Sequence, residues 1–149
     1  MRSVLAVLAL ILTASVADAH VTVWPVESRA GASERYTVRV PTEGQVTTTS
    51  IELEVPEGLM VSGVLVGGGY SYEARRDGSR IVAITWKQDI KSGEYGEFVF
   101  FARNPNAKQI MWKVHQRYAD GTSADWVGVE GDRRPAAVTK LVSTTPAPR

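Results

Sequence analysis

An all-β sandwich is the fold that this sequence of 149 residues predicts. Short segments in which apolar and polar residues alternate recur from residue 21 onward, as expected for half-buried strands. Turn signals separate these segments about every 8 to 12 residues, a spacing typical of sandwiches and small barrels. Because the sequence also lacks an amphipathic-helix pattern and internal repeats, we expect one antiparallel β-sandwich of the immunoglobulin or cupredoxin-like type.

The first predicted strands are defined by alternation. Segments 21–25 and 36–40 alternate, and Pro41 ends the second because a proline nitrogen cannot donate a ladder hydrogen bond. Segment 49–55 places its isoleucine, leucine and valine on one face and both of its glutamates on the other. We therefore expect its glutamate face to meet solvent.

A hairpin is predicted in the middle of the chain. Segment 59–66 is a further apolar strand that ends at consecutive glycines, which we interpret as a bulge or a wide turn. Segments 70–76 and 79–86 flank Asp77-Gly78, a dipeptide typical of the two-residue turns that connect hairpin strands. These two segments should therefore pair antiparallel.

The C-terminal part of the chain repeats this pattern. Segment 97–102 predicts a strand, and segments 110–118 and 122–129 flank Asp120-Gly121, which predicts a second hairpin. The last predicted strand covers residues 137–142. Eight or so strands thus follow one another without a helix between them.

The inward positions of these strands supply an ordinary sandwich core, and most of the aromatic residues are expected there. The predicted core residues are Val38, Val40, Ile51, Leu53, Val82, Ile84, Trp86, Phe98, Phe100, Trp112 and Val114.

Composition excludes several classes of function. Lysine and arginine number 17 against 16 aspartates and glutamates, so a formal net charge of +1 gives no electrostatic case for a nucleic-acid partner. The absence of cysteine from the sequence excludes disulfide frameworks, thiolate metal sites and thiol catalysis. Only two histidines remain as nitrogen ligands among the side chains.

The first nineteen residues have the features of a secretory signal peptide. A short basic start precedes an apolar run of about 13 residues, and Ala17-Asp18-Ala19 fits the small-x-small cleavage rule. The run is shorter than the roughly 20 residues that a transmembrane helix needs. We therefore expect a cleaved signal peptide over 1–19, one β-sandwich domain over 20–142 and a disordered tail over 143–149. The mature protein should be periplasmic or extracellular and without a membrane span.

Cleavage after Ala19 makes His20 the first residue of the mature chain. Its α-amine and its imidazole Nδ1 can then chelate a single ion, and planar nitrogen donors favour Cu(II) over other first-row divalent ions. Both nitrogens must lose a proton to bind, so the affinity should fall in mild acid. From the residues alone, a histidine that follows the cleavage site by chance is the alternative.

Several motifs resemble those of the YcnI-like family of exported bacterial copper-binding domains. They are His20-Val21-Thr22-Val23-Trp24-Pro25, Tyr36-Thr37-Val38-Arg39-Val40-Pro41-Thr42-Glu43, Val55-Pro56-Glu57-Gly58, Tyr118-Ala119-Asp120-Gly121 and Asp125-Trp126. The resemblance covers residues 20 to about 142, and its first two motifs are specific in combination.

The resemblance implies a single-histidine brace that holds Cu(II). In such a brace the amine and the imidazole of the first mature residue bind the metal together with a glutamate, and a tryptophan lies beside it. Carried over by motif, these residues are His20, Glu43 and Trp126. A neutral indole is a donor only, so we expect Trp126 to cover one axial side of the copper with its ring face.

Three other residues compete for these roles. Glu52 and Glu54 lie near Glu43 in sequence, but they alternate outward on a regular strand, whereas Glu43 follows Pro41 in a turn. Trp24 alternates onto the same side as His20, but four strand residues place it about 13 Å along the chain. We therefore favour Glu43 and Trp126.

The second histidine, His115, is the remaining candidate ligand. It shares a predicted strand face with Lys113 and Arg117, and cationic neighbours disfavour a divalent ion, so we expect it to face solvent. A copper-dependent polysaccharide monooxygenase also begins with a braced histidine, but it needs a second histidine in the metal plane. That enzymatic alternative is therefore weakened.

The sequence thus predicts a non-enzymatic Cu(II)-binding protein. The mature chain retains two methionines and no cysteine, a poor supply of ligands for Cu(I). The family resemblance implies that the protein sequesters copper or delivers it, for example to a copper transporter, another chaperone or an oxidase-assembly partner. A metal-free exported sandwich that binds a protein or a glycan is the competing hypothesis.

Overall fold

The computed structural model describes residues 19–143, which form twelve β-strands and, within that range, no helix. Residues 1–18 of the predicted signal peptide (1–19) and residues 144–149 of the predicted tail (143–149) lie outside the described residues. The strands are β1 (Thr22–Trp24), β2 (Glu27–Arg29), β3 (Ser33–Pro41), β4 (Thr48–Glu54), β5 (Met60–Val64), β6 (Ser71–Asp77), β7 (Arg80–Ile90), β8 (Tyr95–Arg103), β9 (Gln109–Trp112), β10 (Val114–Tyr118), β11 (Ser123–Trp126) and β12 (Ala137–Val142). A helix able to cross a membrane is accordingly not found between residues 19 and 143.

Two antiparallel sheets face each other, and a third, smaller sheet extends one side. The four-stranded sheet has the order β1-β3-β8-β5 and the five-stranded sheet the order β11-β10-β4-β7-β6. The small sheet has the order β2-β12-β9, in which β2 runs parallel to β12. The sequence prediction of an antiparallel β-sandwich is confirmed, although it missed the three residues of β2.

The core between the sheets is rich in aromatic side chains. Trp86 of the five-stranded sheet stacks on Phe98 of the four-stranded sheet, with ring centroids 5.3 Å apart. Trp112 of the small sheet contacts Tyr36 and Phe100, with ring centroids 4.8 and 5.8 Å apart. These contacts join all three sheets into one apolar core.

One predicted core residue, Val82, is only half-buried, whereas the other ten are buried. The pairing of β6 with β7 moves from Arg75↔Ala83 to Arg76↔Ile81, so Val82 is an extra residue on its strand. Such a bulge breaks the alternation of side chains. The prediction for Val82 was wrong because strict period 2 was assumed.

Both predicted hairpins are present, with one shift in a turn. Asp77 pairs with Arg80, so the first turn consists of Gly78 and Ser79 rather than Asp77-Gly78. Gly78 has a φ of 58°, a conformation that a glycine adopts without steric cost. In the second hairpin Asp120 and Gly121 lie in the connection, as predicted.

The predicted strand 110–118 is two strands that belong to different sheets. β9 pairs with β12 in the small sheet, whereas β10 pairs with β4 and β11 in the five-stranded sheet. The change occurs at Lys113, whose carbonyl accepts a 3.0 Å hydrogen bond from the amide of Glu54. The side chains still alternate across this point, so the break was not visible in the hydrophobic pattern.

Candidate metal-binding site

The N-terminal segment enters the fold beside the turn that carries Glu43. Thr22 pairs with Arg39, and continuing this antiparallel register by two residues places His20 across from Pro41. Consistent with that register, the backbone N–H of Ala19 donates a hydrogen bond to the Glu43 carboxylate. The structure therefore brings Glu43 next to His20, and both side chains are exposed.

Trp126 lies on the other side of His20. It ends β11 and pairs with Val114, which directs its side chain toward the core, where it is 5% exposed. Its ring centroid is 5.7 Å from that of His20, and the ring planes meet at 59°. Trp126 is thus a core residue with part of its ring against the imidazole.

A buried glutamine connects Trp126 to the turn of Glu43. The indole N–H of Trp126 donates a 3.1 Å hydrogen bond to Oε1 of Gln116. The Gln116 amide N–H2 donates to the Pro41 carbonyl at 2.9 Å and to the Thr48 hydroxyl at 2.7 Å. The hydroxyls of Thr48 and Thr42 are 2.7 Å apart, so the network reaches the residue before Glu43.

Sequence reasoning missed Gln116, although a signal was present. Period 2 on its strand places Gln116 on the same face as Trp112 and Val114, which were both predicted to be buried. A polar side chain at an inward position needs hydrogen-bond partners, and Gln116 is fully buried. The alternation therefore indicated an internal polar network close to Trp126.

The rival site residues are engaged elsewhere. Glu52 accepts a 3.4 Å hydrogen bond from the hydroxyl of Thr85 on the outer face of the five-stranded sheet. Trp24 is 43% exposed, and the guanidinium carbon of Arg39 lies 5.4 Å from its ring centroid. Glu54 binds the second histidine.

His115 lies half-buried between two carboxylates on the outer face of the five-stranded sheet; its outward orientation agrees with the prediction, which did not include these acidic partners. Its Nδ1 is 2.7 Å from Oδ1 of Asp125, and its Nε2 is 2.7 Å from Oε1 of Glu54. Lys113 and Arg117 share its strand face, but the neighbouring strands β4 and β11 supply the acidic partners. Partial burial lowers the pKa of His115, but the hydrogen bonds to Asp125 and Glu54 outweigh it and the net pKa is raised.

A pocket of about 640 Å³ opens beside His20. Met111, Val129, Pro135 and Val138 contribute apolar walls, and residues of the 128–132 turn complete the rim. The His20 side chain thus lies at the mouth of a partly apolar depression. This surface leaves one side of the imidazole accessible.

The donor chemistry of the site is limited to one imidazole and one carboxylate. Between residues 19 and 143, no three histidine, aspartate or glutamate side chains are grouped in a way that could enclose a metal ion. A third donor would have to come from the main chain. The α-amine of the first residue of the mature chain would be such a donor. Tyr118 lies near the same carboxylate: burial raises its pKa, Arg134 lowers it and the charge of Glu43 raises it further.

Comparison with known proteins identifies relatives over most of the chain. A copper-binding protein of Bacillus subtilis, CutI, is 33% identical over 131 residues, which are 85% of this chain. The chain spans 64% of the length of that relative. In fold, an uncharacterized immunoglobulin-like protein from Nocardia farcinica matches with a TM-score of 0.71 and 26% identity, over 82% of this chain and 97% of the other.

A non-cellulosomal cohesin from Archaeoglobus fulgidus has the same type of fold, with a TM-score of 0.52 and 16% identity over 83% of this chain and 91% of the other. The family described as "Domain of unknown function (DUF1775)" matches residues 20–148. The chain therefore belongs to the DUF1775 family, which confirms the resemblance to YcnI-like proteins.

Proposed function

We propose that this protein is exported and binds Cu(II) through a single-histidine brace at the N-terminus of its mature chain. The α-amine and Nδ1 of His20 chelate the ion, and Glu43 supplies a carboxylate oxygen. Trp126 covers one axial side with its ring. The observation that carries this proposal is the convergence of the three residues: the His20 ring lies against Trp126, and Glu43 accepts a hydrogen bond from the amide of the preceding residue.

The residues fit a cupric ion better than other metals. Nitrogen and carboxylate ligands suit Cu(II), whereas Cu(I) prefers thiolate and thioether ligands. A buried ring on one side of the ion excludes water there, and the negative face of an indole attracts a cation. The pocket beside His20 is open to solvent and offers a route by which copper would enter and leave.

Two comparisons support the proposals of copper binding and of cleavage before His20. The relative from Bacillus subtilis is named a copper-binding protein, and the identity to it covers most of this chain. The family match begins at residue 20, the residue that follows the predicted cleavage site. The start of the family match supports a mature domain that begins at His20, and residence in the periplasm or outside the cell is what the predicted signal peptide implies.

Sequestration or delivery of copper is the role that such a site supports. An exposed ion with a single side-chain imidazole can exchange its ligands with an acceptor protein without unfolding of the sandwich. A copper transporter or a second copper chaperone would be an acceptor of suitable chemistry. Copper is then the cargo of the protein, and catalysis is not required.

The decisive experiment compares two forms of the protein that differ by one residue. One form begins at His20, and the other carries a single glycine before His20, which converts the amine into an amide. Cu(II) titration and electron paramagnetic resonance should show tight, nitrogen-rich binding in the first form and a loss of at least about tenfold in affinity in the second. Equal affinity and equal spectra would overturn the brace.

Point variants test the other two residues against matched controls. Glu43→Gln should weaken Cu(II) binding, whereas the exposed turn residue Glu57 should tolerate the same change. Trp126→Phe should alter the copper spectrum, whereas Trp24→Phe, a change at an exposed tryptophan, should not. If both members of a pair behave alike, the assignment of Glu43 or Trp126 fails.

The enzymatic alternative receives no support from the second histidine. His115 is held by Glu54 and Asp125 on the outer sheet face. Failure of both forms to bind Cu(II) would instead favour a metal-free binding module.

A further inference from the structure

Gln116 is positioned to control the geometry of the proposed site from beneath it. This fully buried amide makes three hydrogen bonds, and each leads to a different part of the site. One reaches the indole of Trp126, one the main-chain carbonyl of Pro41, and one the pair of threonines, Thr42 and Thr48, that flanks the turn of Glu43. No other use for this polar group in an apolar core is evident from its contacts.

The bond to Trp126 fixes the orientation of the ring. An indole can rotate within a core cavity of adequate width, and its N–H is the group that distinguishes one orientation from another. Gln116 Oε1 accepts that N–H at 3.1 Å, which holds the ring in its tilted contact with His20, with the centroids 5.7 Å apart. Trp126 and Gln116 lie on adjacent strands, so both are anchored in the five-stranded sheet.

One of the two bonds donated by Gln116 crosses to the four-stranded sheet, whereas the other stays in the five-stranded sheet, where Thr48 begins β4. Pro41 ends β3, and its carbonyl accepts from the amide at 2.9 Å. Pro41 lacks a backbone N–H, so its carbonyl is its only main-chain hydrogen-bonding group, and Thr42 then bonds to the main chain of Glu94 and Gly93 before the turn of Glu43. The register places His20 across from Pro41, and the amide therefore ties the site's two sheets together.

The hydroxyls of Thr48 and Thr42 link Gln116 to the turn that carries the Glu43 carboxylate. Thr48 accepts from Gln116 at 2.7 Å, and its hydroxyl is 2.7 Å from that of Thr42. Thr42 is buried, whereas Glu43, the next residue, is exposed. The main chain is thus fixed up to one residue before Glu43, and only the glutamate side chain retains freedom.

From this arrangement we infer that Gln116 is a positioning residue that sets the distance of Trp126 and of the Glu43 turn from His20, and thereby the geometry of bound copper. The inference rests on the proposed function for its consequence on copper. The positioning itself concerns protein atoms only and is measurable without metal.

The test uses the protein beginning at His20 with Gln116→Met, an unbranched change that removes the amide and keeps similar length. Tyr36→Phe is the matched control, because it removes a buried hydrogen bond to Asn104 elsewhere in the core. In the metal-free proteins, nuclear Overhauser contacts between the rings of His20 and Trp126 and slow exchange of the Trp126 indole N–H should persist in Tyr36→Phe. Both should be lost in Gln116→Met.

The copper measurements then separate this inference from the proposed function. Gln116→Met should shift the electron paramagnetic resonance parameters of the Cu(II) complex and lower the affinity by about tenfold, the scale of about one lost buried hydrogen bond. Tyr36→Phe should change neither. If Gln116→Met loses the ring contacts but the protein that begins at His20 binds no copper, the proposed function is overturned and the positioning role of Gln116 stands.

Unchanged ring contacts and unchanged indole exchange in folded Gln116→Met would overturn the positioning role, whatever the copper data. If Gln116→Met does not fold, Thr48→Val replaces it as the milder variant. Thr48→Val removes one acceptor of the amide and the partner of Thr42. It should broaden the Glu43 backbone resonances and shift the copper spectrum, and a spectrum identical to that of the unmodified protein would count against the inference.

Discussion

Replacement of Trp126 by phenylalanine should destabilise the metal-free protein by about 3–5 kcal/mol. The smaller ring loses two buried carbon atoms, which contributes about 1.6 kcal/mol at about 0.8 kcal/mol each. The change also leaves Oε1 of Gln116 without a donor in a fully buried position, which costs a further 1–3 kcal/mol or so. The orphaned acceptor is therefore as important as the lost volume.

A double-mutant cycle isolates the hydrogen-bond contribution. Trp126→Phe and Gln116→Met each leave one half of the bond unsatisfied, whereas the double variant leaves neither half. The double variant should therefore be more stable than the sum of the single effects predicts, by about 1–3 kcal/mol.

Urea unfolding of the copper-free proteins provides the measurement. Far-ultraviolet circular dichroism should be the signal, because removal of a tryptophan alters the fluorescence. Linear extrapolation then gives the free energy of unfolding of the four proteins. Additivity within about 0.5 kcal/mol would refute the reasoning, because it would mean that the indole and the amide do not interact.

Three further predictions concern the core, the second histidine and the metal. Trp112→Phe should lower the free energy of unfolding in urea by about 1–3 kcal/mol more than Trp86→Phe does. Both rings are fully buried, but the Trp112 N–H donates to the Thr139 hydroxyl, whereas the Trp86 N–H has no partner among residues 19–143. Equal losses would contradict this reasoning. The pKa of His115 is raised in the fold, so its pairing with Glu54 and Asp125 stabilises below the unfolded pKa and is lost as pH rises through the folded pKa. The stability difference between the unmodified protein and His115→Gln should accordingly be larger at about pH 5.5 than at about pH 8.5, and a difference that grows with pH would show the opposite linkage. Cu(II) affinity of the mature protein should fall more than about tenfold between about pH 7 and about pH 5, and a constant affinity in competition titrations would argue against nitrogen ligands.

The sandwich was predictable because one face of most strands is buried. Ile51 and Leu53 alternate with glutamates, and the structure places them in the core as the pattern indicates. The error at Val82 arose from a bulge, which depends on the pairing of two strands and leaves no mark in local alternation. The division of 110–118 between two sheets was hidden for a similar reason, since the inward face stays inward on both sides of Lys113.

The surroundings of individual side chains were less predictable than the strands. The hydrogen-bond partners of His115 are Glu54 and Asp125, which are 61 and 10 residues away in sequence. Its neighbours on its own strand are cationic, and they gave no indication of these two acidic partners. Cross-strand neighbours follow from register, which a single sequence specifies only weakly. Gln116 is the exception, because the alternation on its strand predicts its inward position, although it does not predict its hydrogen-bond partners.

The shortness of β1 has a kinetic consequence for a ligand bound at His20. β1 spans three residues, lies at the edge of its sheet and pairs with β3 alone in that sheet. Edge segments with few hydrogen bonds detach at a far lower free energy than global unfolding requires. Detachment of the terminus would also expose Val21 and Val23, which are buried in the core, so the lifetime of a bound ion would depend on the packing of two valine side chains as well as on the few hydrogen bonds of β1.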